Sequence, residues 1–203
     1  MNTKRIGRWV IVLFLLAALP VMTAVMAQGE EPASETPVVL EPGAPDAATL
    51  TIVSLSSAGA QANYDSVLPS LSDDGRFVAF LTDATNLVPG DTNGKTDVFV
   101  RDRQTGQTTR VSVSSTGAQA NNYNGIARIS ADGRYVAFFS LASNLVSGDT
   151  NNVADVFVHD RQTGTTSRVS VSSAGTQGNG GPRSPDILAG GRFSEFASCA
   201  SAP

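Results

Sequence analysis

The sequence predicts an all-β protein made of stacked four-stranded antiparallel blades, preceded by a signal-peptide helix and a disordered linker. Three observations carry this. The chain repeats itself every 58 residues, each repeat holds four strand-like segments split by turn residues, and the apolar runs are continuous rather than alternating.

The repeat is explicit. DGRFVAF starts at Asp74 and DGRYVAF at Asp132; GDTNGKTDVFVRDRQTG starts at Gly90 and GDTNNVADVFVHDRQTG at Gly148; RVSVSS starts at Arg110 and again at Arg168. Aligning residues 70–121 on 128–179 without gaps gives 34 identities in 52 positions, which only internal duplication explains. The first unit is predicted to form strands at 66–72, 77–82, 97–102 and 108–114, and the second at 125–130, 135–140, 155–160 and 166–172. Asp73-Asp74-Gly75-Arg76 reads as a tight hairpin turn. Arg103-Gln104-Thr105-Gly106 reads as a longer one whose Gly supplies the positive φ. FVAFL, VFV and YVAFF are apolar on successive residues, as a sheet covered on both faces requires. Sheets of this kind repeated at intervals are stacked blades.

The motif Ser72-Asp73-Asp74-Gly75-Arg76-Phe77-Val78-Ala79-Phe80 and its copy Ser130-Ala131-Asp132-Gly133-Arg134-Tyr135-Val136-Ala137-Phe138 resemble the S-P-D-G-[RK]-x-[IV]-A-[FY] core of TolB-type, WD-repeat-like bacterial β-propellers. Asp73 and Ala131 replace the Pro of that motif, while Pro69 precedes the first copy as the pattern has it. The resemblance covers residues 51–203. It implies a partial β-propeller, and for function only a range: scaffolds, periplasmic partners and accessory domains of peptidases.

The domain reading follows. Residues 1–27 have the parts of a secretory signal: Lys4, Arg5 and Arg8, an apolar run over 10–19, Pro20, and Val25-Met26-Ala27 before a cut at Gln28. The other reading of the same stretch is an uncleaved membrane anchor, since a span needs about 20 apolar residues. Either way the chain is expected to be exported (secreted, periplasmic or cell-surface), with membrane attachment only if the segment stays uncleaved. Residues 28–49 alternate Pro32, Pro37, Pro42 and Pro45 with acidic residues, and are expected to form a disordered spacer. Residues 50–203 are expected to form the partial propeller, with repeat units 64–121, 122–179 and an incomplete 180–203. In that last unit Gly190 replaces the turn Asp and no third GDTN or DVFV segment follows. A strand at 51–57 is expected to stand outside any blade of its own, and the open blade ends are expected to favour self-association.

Composition excludes several classes. Without its first 27 residues the chain holds 11 cations against 18 anions, which argues against a nucleic-acid footprint. One His and one Cys exclude a zinc site of several such ligands and an internal disulfide. No G-x-S-x-G elbow is present, so no catalytic residue is assigned.

Two loops carry candidate chemistry. Asp91, Asn93 and Asp97, matched by Asp149, Asn151 and Asp155, place side-chain oxygens at positions 1, 3 and 7 of a short loop. Calcium takes six to eight oxygens from such loops, so calcium is the one cofactor expected if any is. Lys95 and Val153 offer no oxygen at position 5. The competing reading is that these side chains bond their own turn backbone and cap the next strand. Asp74 and Asp132 read as turn residues, and His159, which stands where the first unit has Arg101, as a surface strand residue. Arg103, Arg161, Arg110 and Arg168 are expected to pair with turn carboxylates or carbonyls between blades.

The functional expectation is an exported, non-catalytic module that binds a protein or cell-surface partner through its blade loops, with calcium stabilising it if the loops bind the ion. The alternatives are the propeller fragment of a larger exported hydrolase or peptidase, and a truncated product without function.

Overall fold

The computed structural model describes residues 11–12, 50–179, 182–187 and 193–198. The signal and linker assignments, apart from Ile11 and Val12, and the tail around Cys199 lie outside these residues. The described elements are all strands: β1 (Ile11–Val12), β2 (Thr51–Ile52), β3 (Ser66–Leu71), β4 (Phe77–Thr82), β5 (Asp97–Asp102), β6 (Thr108–Arg110), β7 (Asn124–Ile129), β8 (Tyr135–Ser140), β9 (Asp155–Asp160), β10 (Thr165–Arg168), β11 (Pro182–Ile187) and β12 (Phe193–Ser198). Among the described residues no helix is long and apolar enough to cross a membrane.

Two four-stranded meanders form, in the orders β3-β4-β5-β6 and β7-β8-β9-β10, every pairing antiparallel. β11 and β12 pair antiparallel as the start of a third sheet. Successive sheets pack face to face, β4 and β5 against β7, and β8 against β11. This is the stacked-blade arrangement of a partial β-propeller.

The continuous apolar runs explain the stacking. In β4, Ala79 and Leu81 point toward the second blade while Phe80 points the opposite way. Ala79, Leu81, Val98 and Val100 of blade one meet Ile129, Val136, Phe138 and Phe157 of blade two in one buried cluster. The repeat also recurs in packing: the Phe80 and Phe99 ring centroids lie 6.0 Å apart, and so do those of Phe138 and Phe157. All four rings are fully buried, and each contributes on the order of 1.5–3 kcal/mol.

Three strand assignments need correction. The outer strand ends at Arg110 rather than at 114, and at Arg168 rather than at 172. The chain leaves the ladder because Ser112 Oγ turns inward to Asp97 and Ser114 closes a turn, its N–H donating to Ala118 O and its C=O accepting from Gly117 N–H. The segment 51–57 behaves in the same way. Only Thr51–Ile52 is strand, paired antiparallel with Ile11–Val12, and Leu55 then bridges to Gln61 as Val113 does to Gln119 and Val171 to Gln177. The 58-residue register holds, but its product is a short strand and a turn.

That turn docks on the following blade. Thr108 Oγ1 donates to Leu55 O at 2.5 Å, and Thr166 Oγ1 donates to Val113 O at the same distance. Each blade therefore carries the turn of the preceding unit on its outer strand.

Candidate functional site

The six residues of the candidate calcium loops do converge, and they converge on an arginine. In the first loop Arg110 Nη1 lies 3.0 Å from Asp91 Oδ1 and 3.2 Å from Asp97 Oδ2. In the second, Arg168 Nη1 lies 3.1 Å from Asp149 Oδ1 and 3.3 Å from Asp155 Oδ2. Asn93 Nδ2 donates to Asp97 Oδ2 and to Ala120 O, while its Oδ1 accepts the Lys95 N–H. Asn151 repeats the first pair of bonds with Asp155 and Gly178 and accepts from Val153 N–H. Ser112 Oγ donates to Asp97 Oδ1 at 2.6 Å and accepts the Val98 N–H, so the strand start is capped by Ser112 and not by the loop's own Asp or Asn.

Asp97 is fully buried and Asp155 1% exposed. A buried carboxylate is costly unless it is paired and hydrogen-bonded, and here the guanidinium and the hydroxyl do both. Burial pushes the Asp91 carboxyl above its ordinary range, partly offset by the Arg110 guanidinium; burial does the same to Asp149. Among the described residues no group of three or more His, Cys, Asp or Glu side chains is placed to hold a metal. The position between the two carboxylates is held by a guanidinium, and an amide NH2 donates to Asp97 or Asp155, which fits an arginine clasp better than an oxygen cage. Calcium would have to displace Arg110 or Arg168 to reach both carboxylates.

Gln119 and Gln177 complete the clasp, and the motif reading passed over them. Gln119 Oε1 accepts from Thr92 N–H, Asn93 N–H and Arg110 Nη1, and its Nε2 donates to Gly90 O at 2.6 Å. Gln177 makes the same four bonds to Thr150, Asn151, Arg168 and Gly148. The signal was in the sequence: Gln61, Gln119 and Gln177 recur at the repeat spacing, each followed two residues later by Asn.

A second clasp joins the two hairpin turns of each blade. Arg76 Nε and Nη2 donate to Asp102 Oδ1 and Oδ2 at 3.0 and 2.7 Å, and Arg134 holds Asp160 with the same two distances. Such bidentate pairs are the strong form of the contact. Asp102 Oδ1 also caps Gln104 N–H at 2.9 Å. The guanidinium hydrogen bond holds both carboxyls far below the usual carboxylate range. Asp74 accepts from Ser72 Oγ and from Arg76 N–H, and Asp132 from Ser130 Oγ and Arg134 N–H, so both are turn residues as expected.

The remaining arginines and the histidine are partly as expected. Arg103 and Arg161 donate to turn carbonyls, Gly75 O and Gly133 O, but within their own blade. Arg110 and Arg168 also pair within their own repeat, and their side chains are only 9–10% exposed, so these are not surface pairs. His159 is 7% exposed, which corrects its placement on the surface. Its Nδ1 lies 2.9 Å from Thr166 Oγ1, and burial lowers its pKa. The larger Arg101 at the equivalent place instead reaches Ser56 O at 3.0 Å and Thr108 Oγ1 at 3.1 Å. Arg101 thus holds the docked turn directly, and His159 reaches it only through Thr166, whose hydroxyl donates to Val113 O.

No family model matches the sequence, and no curated protein matches it. Among solved structures the chain is similar to TolB from Agrobacterium tumefaciens, with 17% identity over 59% of this chain and 33% of that one, at a TM-score of 0.39. It is similar to the tricorn protease at 16% identity over 61% of this chain and 10% of that one, TM-score 0.37. The β-propeller domain of the Trilobed protease from Pyrococcus furiosus matches at 14% identity over 59% of this chain and 30% of that one, TM-score 0.35. The chain thus matches a third or less of the length of each.

Proposed function

We propose that this chain is an exported, non-catalytic β-propeller module that presents its loops to a partner outside the cytoplasm. The observation that carries the non-catalytic part is where the ionisable side chains of the two complete blades are spent. The recurring Asp and Arg residues close turns, and His159 faces the Thr166 hydroxyl, which is buried and already donates to Val113 O. General acid–base work needs a side chain within reach of a substrate proton, and these carboxylates and this imidazole are paired and largely buried. Export rests on Lys4, Arg5 and Arg8, the apolar run after them and the small residue Ala27. Loops on a rigid β scaffold are the usual place for binding residues.

The test is expression of the full chain, tagged at its C-terminus, in a bacterial host. The expected result is tagged protein in the exported fraction with Gln28 at its N-terminus and no turnover of peptide or ester substrates. Retention in the cytoplasm overturns export, and hydrolysis by the purified chain overturns the non-catalytic role.

A further inference from the structure

The 58-residue repeat separates what the fold needs from what it does not. Clasps, aromatic stacks and docked turns recur in both blades, so residues that break the register are free of those demands. Three of them meet in one groove of about 490 Å³ at the junction of the two blades: Tyr64, Lys95 and Tyr123. Fifty-eight residues after Tyr64 stands Asn122, fifty-eight before Tyr123 stands Asp65, and fifty-eight after Lys95 stands Val153. The two tyrosines thus come from different repeat positions and still flank one groove.

Their state is that of binding residues rather than packing residues. Tyr64 is 57% exposed and Tyr123 44%, and neither hydroxyl is hydrogen-bonded to another described residue. Tyr123 is braced from behind by Phe139, with ring centroids 5.9 Å apart. Lys95 is exposed and is the only lysine of residues 50–203; its ammonium has no ion pair among the described residues. Asp83, the one carboxylate on the rim, accepts the Thr96 hydroxyl at 2.6 Å. Of the rim backbone, the Thr85 N–H is taken by Asn63, the Lys95 N–H by Asn93 and the Tyr123 N–H by Asn122, and no lining residue lies in a strand, so the groove offers a guest no sheet edge. What it offers is two phenol rings, the Nδ2 of the exposed Asn122 amide, whose Oδ1 accepts the Tyr123 N–H, and one ammonium, with the exposed Asp83 carboxylate on the same rim.

We infer that this groove binds an acidic saccharide chain. A sugar ring has an apolar C–H face that lies on a phenol, and a rim of hydroxyls that pairs with phenol and amide groups. A uronate carboxylate then matches Lys95. A peptide that adds as a strand would need a sheet edge, which no lining residue gives. The groove volume is within the ordinary range for small-ligand sites. The inference deepens the binding-module reading and rests on it.

The test is an array of uronate tetrasaccharides (mannuronate, galacturonate and glucuronate) beside their neutral hexose counterparts and a hexaglutamate peptide, probed with the full chain. At least one uronate should bind in preference to its neutral counterpart. Tyr64→Ala and Tyr123→Ala should each weaken it about tenfold, and Lys95→Gln should remove the preference over the neutral sugar. Tyr64 and Lys95 are exposed, so the melting midpoints of their variants should match the parent chain, while Tyr123→Ala also gives up its contact with Phe139 and is assayed well below its own midpoint, which keeps binding loss apart from misfolding. The inference is overturned if no uronate binds, if the neutral sugars or the peptide bind equally well, or if binding survives both tyrosine changes. Such an outcome with a folded, exported and hydrolytically inert chain leaves the module reading standing.

Discussion

Phe77 of the first blade lies directly over Gly133 of the second. A Cβ built on Gly133 would come within 2.1 Å of Phe77 Cδ2, and the Arg161 guanidinium covers the ring at 4.4 Å from its centroid. Asp73 N–H donates to Ala131 O beside this contact. The hairpin turn of one blade is therefore the seat for the aromatic that follows the turn of the blade before it.

Replacing Gly133 by Ala should separate packing from backbone strain. Gly133 and Gly148 share a φ of +72°, but a Cβ at Gly148 meets nothing within 4 Å. Gly148→Ala should cost about 1–2 kcal/mol from the left-handed conformation alone, whereas Gly133→Ala should cost about 1–3 kcal/mol more from overpacking. Urea unfolding of the two variants checks it; equal losses would mean that the blade junction yields freely.

Arg110→Met should destabilise the protein by about 3 kcal/mol, because it leaves Asp97 buried without its charge partner. Arg168→Met should do the same in the second blade. An exposed pair would lose less than about 1 kcal/mol, so urea midpoints discriminate between a buried clasp and a surface contact.

Acid should weaken the fold through Asp102 and Asp160. Their folded pKa values are depressed, by Arg76 and Arg134 first, so the unfolded chain takes up protons before the folded one. Their contribution is present above the unfolded value of about 3.9 and is lost as pH falls below it toward the folded value. Asp91 and Asp149, raised by burial, act with the opposite sign: their contribution is full below the unfolded value and fades as pH climbs through the folded one. Urea midpoints should fall for the parent chain between about pH 5 and pH 2, and fall less in the Asp102→Asn, Asp160→Asn double variant.

Excess calcium should leave the melting midpoint where chelator leaves it, since Arg110 and Arg168 already bridge the loop carboxylates. A bound ion would stabilise by RT ln(1 + [L]/Kd), and extracellular sites bind at about 10⁻⁴–10⁻³ M, so millimolar calcium suffices. A raised midpoint would show that the ion displaces the guanidinium.

What the sequence determined by itself was the local pattern of each repeat. The register located both hairpin turns, the four strands of each blade to within a few residues and the two-sided burial, because the same local chemistry occurs twice at a fixed spacing. Asp91, Asn93 and Asp97 were legible as a unit for the same reason. That Arg110 would meet a turn carboxylate was legible too; that the carboxylates are Asp91 and Asp97 of its own repeat, with Gln119 beside them, was not, since Arg110 and Gln119 lie 13 and 22 residues beyond Asp97 and reach the loop only when β6 folds back along β5. Spacing within a loop shows which oxygens can converge, but not which cation the fold delivers to them. The end of the outer strand at Arg110 was hidden for a related reason: Ser112 has the composition of a strand residue and is drawn out of the ladder by a buried carboxylate. The burial of His159, and the meeting of Tyr64 with Tyr123 across two repeats, depend on how a turn and a blade edge come to rest on the neighbouring blade. Contacts between blades join residues far apart in the chain, and only the tertiary structure decides those.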